Sequence, residues 1–133
     1  MKTQSRNFTL EEANSFVPQL ESLLARVAEK RTKCEKLHDV FFVRELIAEV
    51  LPEEKGAAAL EDEAKSLDHL VAELEKDISL LRETGCRIRN LERGCIDFFG
   101  RHAGEMVYFC WARGEKSIRY YHPLNDAAIR LPL

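Results

Sequence analysis

The chain has 133 residues, of which 45% are hydrophobic and 32% charged, with a formal net charge of −3. That length suits one domain with a modest core that needs no disulfide framework, and no apolar run approaches the length of a transmembrane helix. Charge is polarised: Met1 to Leu81 carry 17 acidic and 11 basic residues, Arg82 to Leu133 carry 6 and 9. Because the later arginines are scattered rather than clustered, nucleic acid is not an expected partner.

Cys34, Cys86, Cys95 and Cys110 show no CxxC spacing, and the opening MKTQSRNFTLEE lacks the apolar stretch of a secretion signal. The expected location is cytoplasmic, with reduced thiols.

Thr9-Leu-Glu-Glu12 reads as a capping box, with hydroxyl and carboxylate exchanging bonds with each other's backbone amides. Pro18 lacks the amide that would continue this helix. A short helix near 10–16 followed by a second starting at Pro18 is therefore expected, with one kinked helix as the alternative. From Leu20 the positions 20, 23, 27, 30, 34, 37, 41, 44, 48 and 51 alternate in steps of three and four, a coiled-coil-like seam interrupted by Lys30 and Arg44. Leu51-Pro52 to Gly56 signals a stop and a turn. Leu60, Ala64, Leu67, Val71, Leu74, Ile78 and Leu81 then keep the same spacing without a polar residue, and Gly85 suits a helix C-terminus.

After Gly85 the period shortens. Cys86–Asn90 alternates, Cys95–Phe99 is rich in strand formers, Gly100–Gly104 reads as a glycine-bounded loop, and Met106–Trp111 and Ile118–His122 read as a hairpin. The predicted architecture is α+β and mainly α. A long antiparallel helical hairpin (about 9–51 and 58–84) carries a small antiparallel β-meander (86–122) at one end, with 123–133 as a closing tail, in a single domain. Two such rods leave apolar positions uncovered, Phe42 and Val43 among them, so a homodimer forming a four-helix bundle is expected.

If Gly114 and Glu115 are the central turn residues, Trp111 faces Ile118, Phe109 faces Tyr120 and Val107 faces His122. Side chains alternate along a strand, so this register sets Cys110 and His122 on opposite faces and argues against them as a ligand pair. A five-residue loop pairing Phe99 with Glu105 would set Asp97 beside Val107, on the face of His122 and roughly 10 Å from it at the backbone. A slip of one residue would turn Asp97 toward Cys110 and Arg119, where an ion pair is expected.

Asp97, His102, Cys110, Glu115 and His122 are the candidate ligands of a divalent transition metal, and Asp97, Trp111, Glu115 and His122 those of a small molecule. The spacing matches no established ligand motif. The plainer alternative keeps His122 as a hydrogen-bonded core histidine, Cys110 as a small buried apolar residue and Glu115 as a turn residue. Neither Cys95 nor Cys110 has an evident general base, so no nucleophilic chemistry, and no enzyme activity, is read here.

TLEEAN (Thr9–Asn14) followed by Pro18, then Gly94, Asp97-Phe98, Cys110-Trp111, Gly114-Glu115, Tyr121-His122, Arg130 and Pro132-Leu133 together resemble a bacterial and archaeal family catalogued as domain of unknown function number 2203. The resemblance spans the whole chain and implies no activity. It puts weight on Asp97, Cys110, Trp111, Gly114, Glu115 and His122. Tyr121 stands where that family usually has Trp, and Asn125–Ile129 replaces a glycine-rich segment.

Overall fold

The computed structural model describes residues 6–51 and 57–133, so the expected turn after Leu51 and the first five residues lie outside the described part. The chain is mixed helix and antiparallel sheet, in the order α1 (Leu10–Ser15), α2 (Val17–Val50), α3 (Ala57–Glu83), β1 (Arg87–Asn90), β2 (Cys95–His102), β3 (Glu105–Ala112), β4 (Tyr120–Pro123) and β5 (Leu131–Pro132). It divides into two compact units, residues 26–77 and the remainder.

In the larger unit the strands form one sheet in sequence order, each antiparallel to the next. The capping box forms as read: Thr9 Oγ1 accepts from the Glu12 amide at 3.0 Å, and Glu12 Oε1 accepts from the Thr9 amide at 2.9 Å. The helices separate at Phe16, α1 ending at Ser15 and α2 starting at Val17, so Pro18 sits in the first turn of the second helix. One sheet face carries Ile96, Phe98, Val107, Phe109 and Trp111, all buried, as are Ala13, Val17, Leu20 and Leu24 on the helices. Phe8 and Phe16 close this core, their ring centroids 4.9 and 6.0 Å from that of Phe98. Burying rings of this size contributes about 1.5–3 kcal/mol each.

Residues 7–9 are fastened to the sheet at Gly100. Phe8 forms a parallel bridge with Gly100 and donates its amide to the Phe99 carbonyl at 2.8 Å. A Cβ at Gly100 would run into the Phe8 carbonyl oxygen and the Phe109 ring, so only glycine admits this approach.

The turns differ from expectation and shift both hairpin registers. Gly100–His102 is strand rather than loop, and His102 pairs with Glu105 across a two-residue turn. Ala103 (φ 53°) and Gly104 (φ 83°) both take positive φ there, as a type I′ turn demands. Phe99 therefore faces Tyr108 rather than Glu105, and Asp97 faces Cys110 rather than standing beside Val107.

At the next connection the turn spans Ala112 to Glu115, closed by the Glu115 amide donating to the Ala112 carbonyl at 3.0 Å, with Arg113 and Gly114 central. Val107 consequently faces Pro123, Tyr108 faces His122 and Cys110 faces Tyr120, one residue from the expected register. Ile118 leaves the ladder, is buried, and donates its amide to Asn14 Oδ1 at 2.7 Å. The closing tail contributes a fifth strand, Leu131–Pro132, paired with β4.

The smaller unit holds residues 26–50 of α2 and 57–77 of α3. Lys30 and Arg44, the two breaks in the α2 seam, each pair with an acid on α3. Lys30 Nζ lies 2.7 Å from Asp77 Oδ2, and Arg44 Nε lies 2.9 Å from Glu63. Arg26 also reaches Asp77, at 2.6 Å, and the Asp77 side chain is fully buried. Lys30 is thus neutralised in a largely sheltered setting, whereas Arg44 pairs at the surface.

Candidate metal centre

The second face of the sheet carries Arg87, Asp97, Phe99, Tyr108, Cys110, Tyr120 and His122, because each stands opposite another on the neighbouring strand. Cys110 and His122 therefore share a face, which reverses the expectation that they lie on opposite ones. Asp97, Cys110 and His122 are all buried, and one donor atom of each lies within 4.8 Å of the other two.

His122 is held at both ring nitrogens. Nδ1 donates to the Pro123 carbonyl at 2.8 Å, and Nε2 lies 3.1 Å from Asp97 Oδ2. A carbonyl only accepts, so Nδ1 bears a proton and Nε2 is the nitrogen free to share a proton or bind a cation. The Tyr108 ring packs against the imidazole, centroids 5.3 Å apart.

Asp97 also faces Arg89, whose Nε lies 3.3 Å from both carboxylate oxygens. Arg89 is the extra residue of a β-bulge, since Ile88 pairs with Ile96 and Asn90 already pairs with Cys95. Bulges re-aim side chains in this way. The sequence signal for Arg89 was limited to the alternation of Cys86–Asn90, which does not reveal a bulge.

Burial raises the Cys110 thiol to about 12, helped by the neighbouring Asp97 charge. In the absence of a cation it is a neutral thiol. Burial likewise pushes Cys86 up.

Two other candidates are engaged elsewhere. The Glu115 carboxylate holds the Arg130 guanidinium through two bonds of 3.1 and 3.2 Å and accepts from the Ala112 amide at 2.9 Å. Its backbone carbonyl accepts from Trp111 Nε1 at 2.8 Å, and Trp111 itself is buried on the helix-facing side. His102 packs on Tyr121, centroids 4.6 Å apart. Among the described residues, Asp97, Cys110 and His122 are the group of His, Cys and carboxylate side chains brought together closely enough for one ion.

The family model for an uncharacterized conserved protein (DUF2203) matches residues 6–129. The chain belongs to this family. No curated protein and no solved structure matches it. For this DUF2203 member, no helix among the described residues is long and apolar enough to cross a membrane.

Proposed function

We propose that this DUF2203 chain is a metal-binding domain in which Asp97 Oδ2, Cys110 Sγ and His122 Nε2 hold one divalent transition-metal ion. The observation that carries the reading is the convergence of three chemically different donors, each buried, within 4.8 Å on one sheet face. Ligand atoms around a tetrahedral zinc stand roughly 3.3–3.8 Å apart, given bond lengths of about 2.0–2.3 Å, so small side-chain rotations close the set. The Nδ1 bond to the Pro123 carbonyl is the outer contact that orients a ligating histidine, and Arg89 can remain on Oδ1 while Oδ2 takes the ion. A mixed thiolate, imidazole and carboxylate set suits zinc or iron, and three protein ligands leave a fourth position for water or another molecule.

Elemental analysis of protein purified without a metal-affinity tag tests this. One bound zinc, iron or manganese per chain, lost in Cys110→Ala, supports it. A metal-free protein showing no thermal shift on adding these ions contradicts it.

A second reading concerns assembly. In α2, Phe42, Val43, Leu46, Ile47 and Val50 are 44–67% exposed, a density of uncovered apolar side chains that monomers rarely keep. We infer that α2 and α3 form a coiled-coil-like hairpin whose apolar stripe is covered by a second copy in a four-helix bundle, leaving the sheet as the recognition surface. Light scattering should give a dimer mass that Leu46→Glu reduces to a monomer. A wild-type monomer at micromolar concentration would overturn it.

A further inference from the structure

A second site lies beside the last turn of α3 and the start of β1. It is a pocket of about 270 Å³ lined by Arg82, Cys86, Arg87, Phe99 and Tyr108 among others, with no acidic side chain in its wall. That volume sits just below the roughly 300–1,000 Å³ of drug-sized sites, so its occupant is small.

The two arginines lack carboxylate partners among the described residues, although the chain is acidic overall. Arg82 lies exposed in the last turn of α3. Arg87 is directly opposite Asp97 in the β1–β2 ladder, yet Arg89 takes that carboxylate. The Arg87 guanidinium instead lies over the Tyr108 ring, 4.7 Å from its centroid, which leaves its N–H edge available. Phe99 and Tyr108, with centroids 5.6 Å apart, supply an apolar aromatic wall. Two unpaired guanidinium groups at the rim of an aromatic-walled pocket are complementary to a flat apolar molecule that ends in an anionic group.

We propose that this pocket binds a small aromatic carboxylate, with Arg82 and Arg87 on the anion and Phe99 and Tyr108 against the ring. The pocket lining includes none of Asp97, Cys110 and His122, so this proposal does not require an ion on them, although Tyr108 packs on His122.

The test is a titration of the full chain with benzoate in the presence of EDTA, followed by amide chemical shifts, with benzyl alcohol as the neutral control. Removing metal separates failure of this site from failure of the metal centre. Saturable shifts are expected at Gly85, Arg87 and Tyr108, with millimolar affinity, and benzyl alcohol should bind far more weakly. Arg82→Gln and Arg87→Gln should each weaken benzoate about tenfold, the scale of one charge-assisted bond. Both side chains are on the surface, so the variants retain the fold. Absence of saturable shifts, equal binding of benzyl alcohol, or affinity indifferent to both substitutions would overturn the proposal.

Discussion

His122 Nε2 lies 3.1 Å from Asp97 Oδ2, and both side chains are buried. The proton that this contact shares is the one a divalent cation would replace, while the Nδ1 bond to Pro123 stays intact. Cys110 stands on the same face, directly opposite Asp97. These facts fix what an ion must displace and hence how its binding depends on solution conditions.

Metal binding should release protons. The Cys110 thiol, raised to about 12 by burial and by Asp97, must lose its proton to become a thiolate ligand. Affinity should therefore rise with pH, by about tenfold per unit for each proton released. Zinc titrations in buffers of differing ionisation enthalpy would count the protons, and a pH-independent affinity would contradict thiolate ligation.

The metal-free protein should lose stability in alkali. Cys110 and Cys86 both have raised values in the fold relative to the unfolded chain, each chiefly through desolvation. Between about pH 9 and 12 the unfolded state releases the Cys110 proton that the fold retains, and Cys86 acts in the same direction, so the stability these groups contribute is present below pH 9 and declines above it. Urea midpoints across this range should fall, and should fall less in Cys110→Ala.

At Asp77 the buried carboxylate should matter more than its half-exposed partner Arg26. Arg26 is half exposed whereas Lys30 is largely sheltered, and the carboxylate they share is fully buried. Arg26→Ala should cost less than about 1 kcal/mol. Asp77→Ala should cost about 2–3 kcal/mol, since it removes charge-assisted bonds to both partners at once. Urea denaturation of the two variants would show the order.

The helical part was legible because its signals are local. The three-four spacing and the Thr9–Glu12 capping box involve neighbours within one turn, and both helices and the box are present. Lys30 was legible only as an interruption of the apolar seam, and its partner on the facing helix was not. Asp77 lies off the α3 seam, so the spacing gave no hint of it. Strand pairing was harder, since each register hung on a turn whose chemistry is weakly signalled. Ala103 takes a positive φ usually left to Asn, Asp or Gly. Glu115 is drawn out of the expected turn by bonds to Trp111, Ala112 and Arg130.

Each register differs from expectation by an odd number of residues, and each such shift flips a strand's side chains to the other face. For Asp97 and His122 the two flips cancel, so they share a face as expected. For Cys110 and His122 only one shift intervenes, so the pair that looked excluded is brought together.

Gly100→Ala should be among the most damaging single-methyl changes in the chain. The added Cβ meets the backbone oxygen of Phe8, which cannot rotate aside, and the buried Phe109 ring. A loss of about 1–3 kcal/mol is expected from overpacking, read as a lower urea midpoint. Unchanged stability would mean that residues 7–9 do not dock against the sheet.

The metal centre is tested most directly by the optical spectrum of the cobalt(II)-loaded protein. Ligation by Asp97, Cys110 and His122 should give a thiolate-to-cobalt charge-transfer band together with the intense visible bands of a four-coordinate site. The charge-transfer band should vanish in Cys110→Ser, and the visible bands should weaken in His122→Gln. A spectrum like that of aqueous cobalt, or one unchanged by Cys110→Ser, would contradict the assignment.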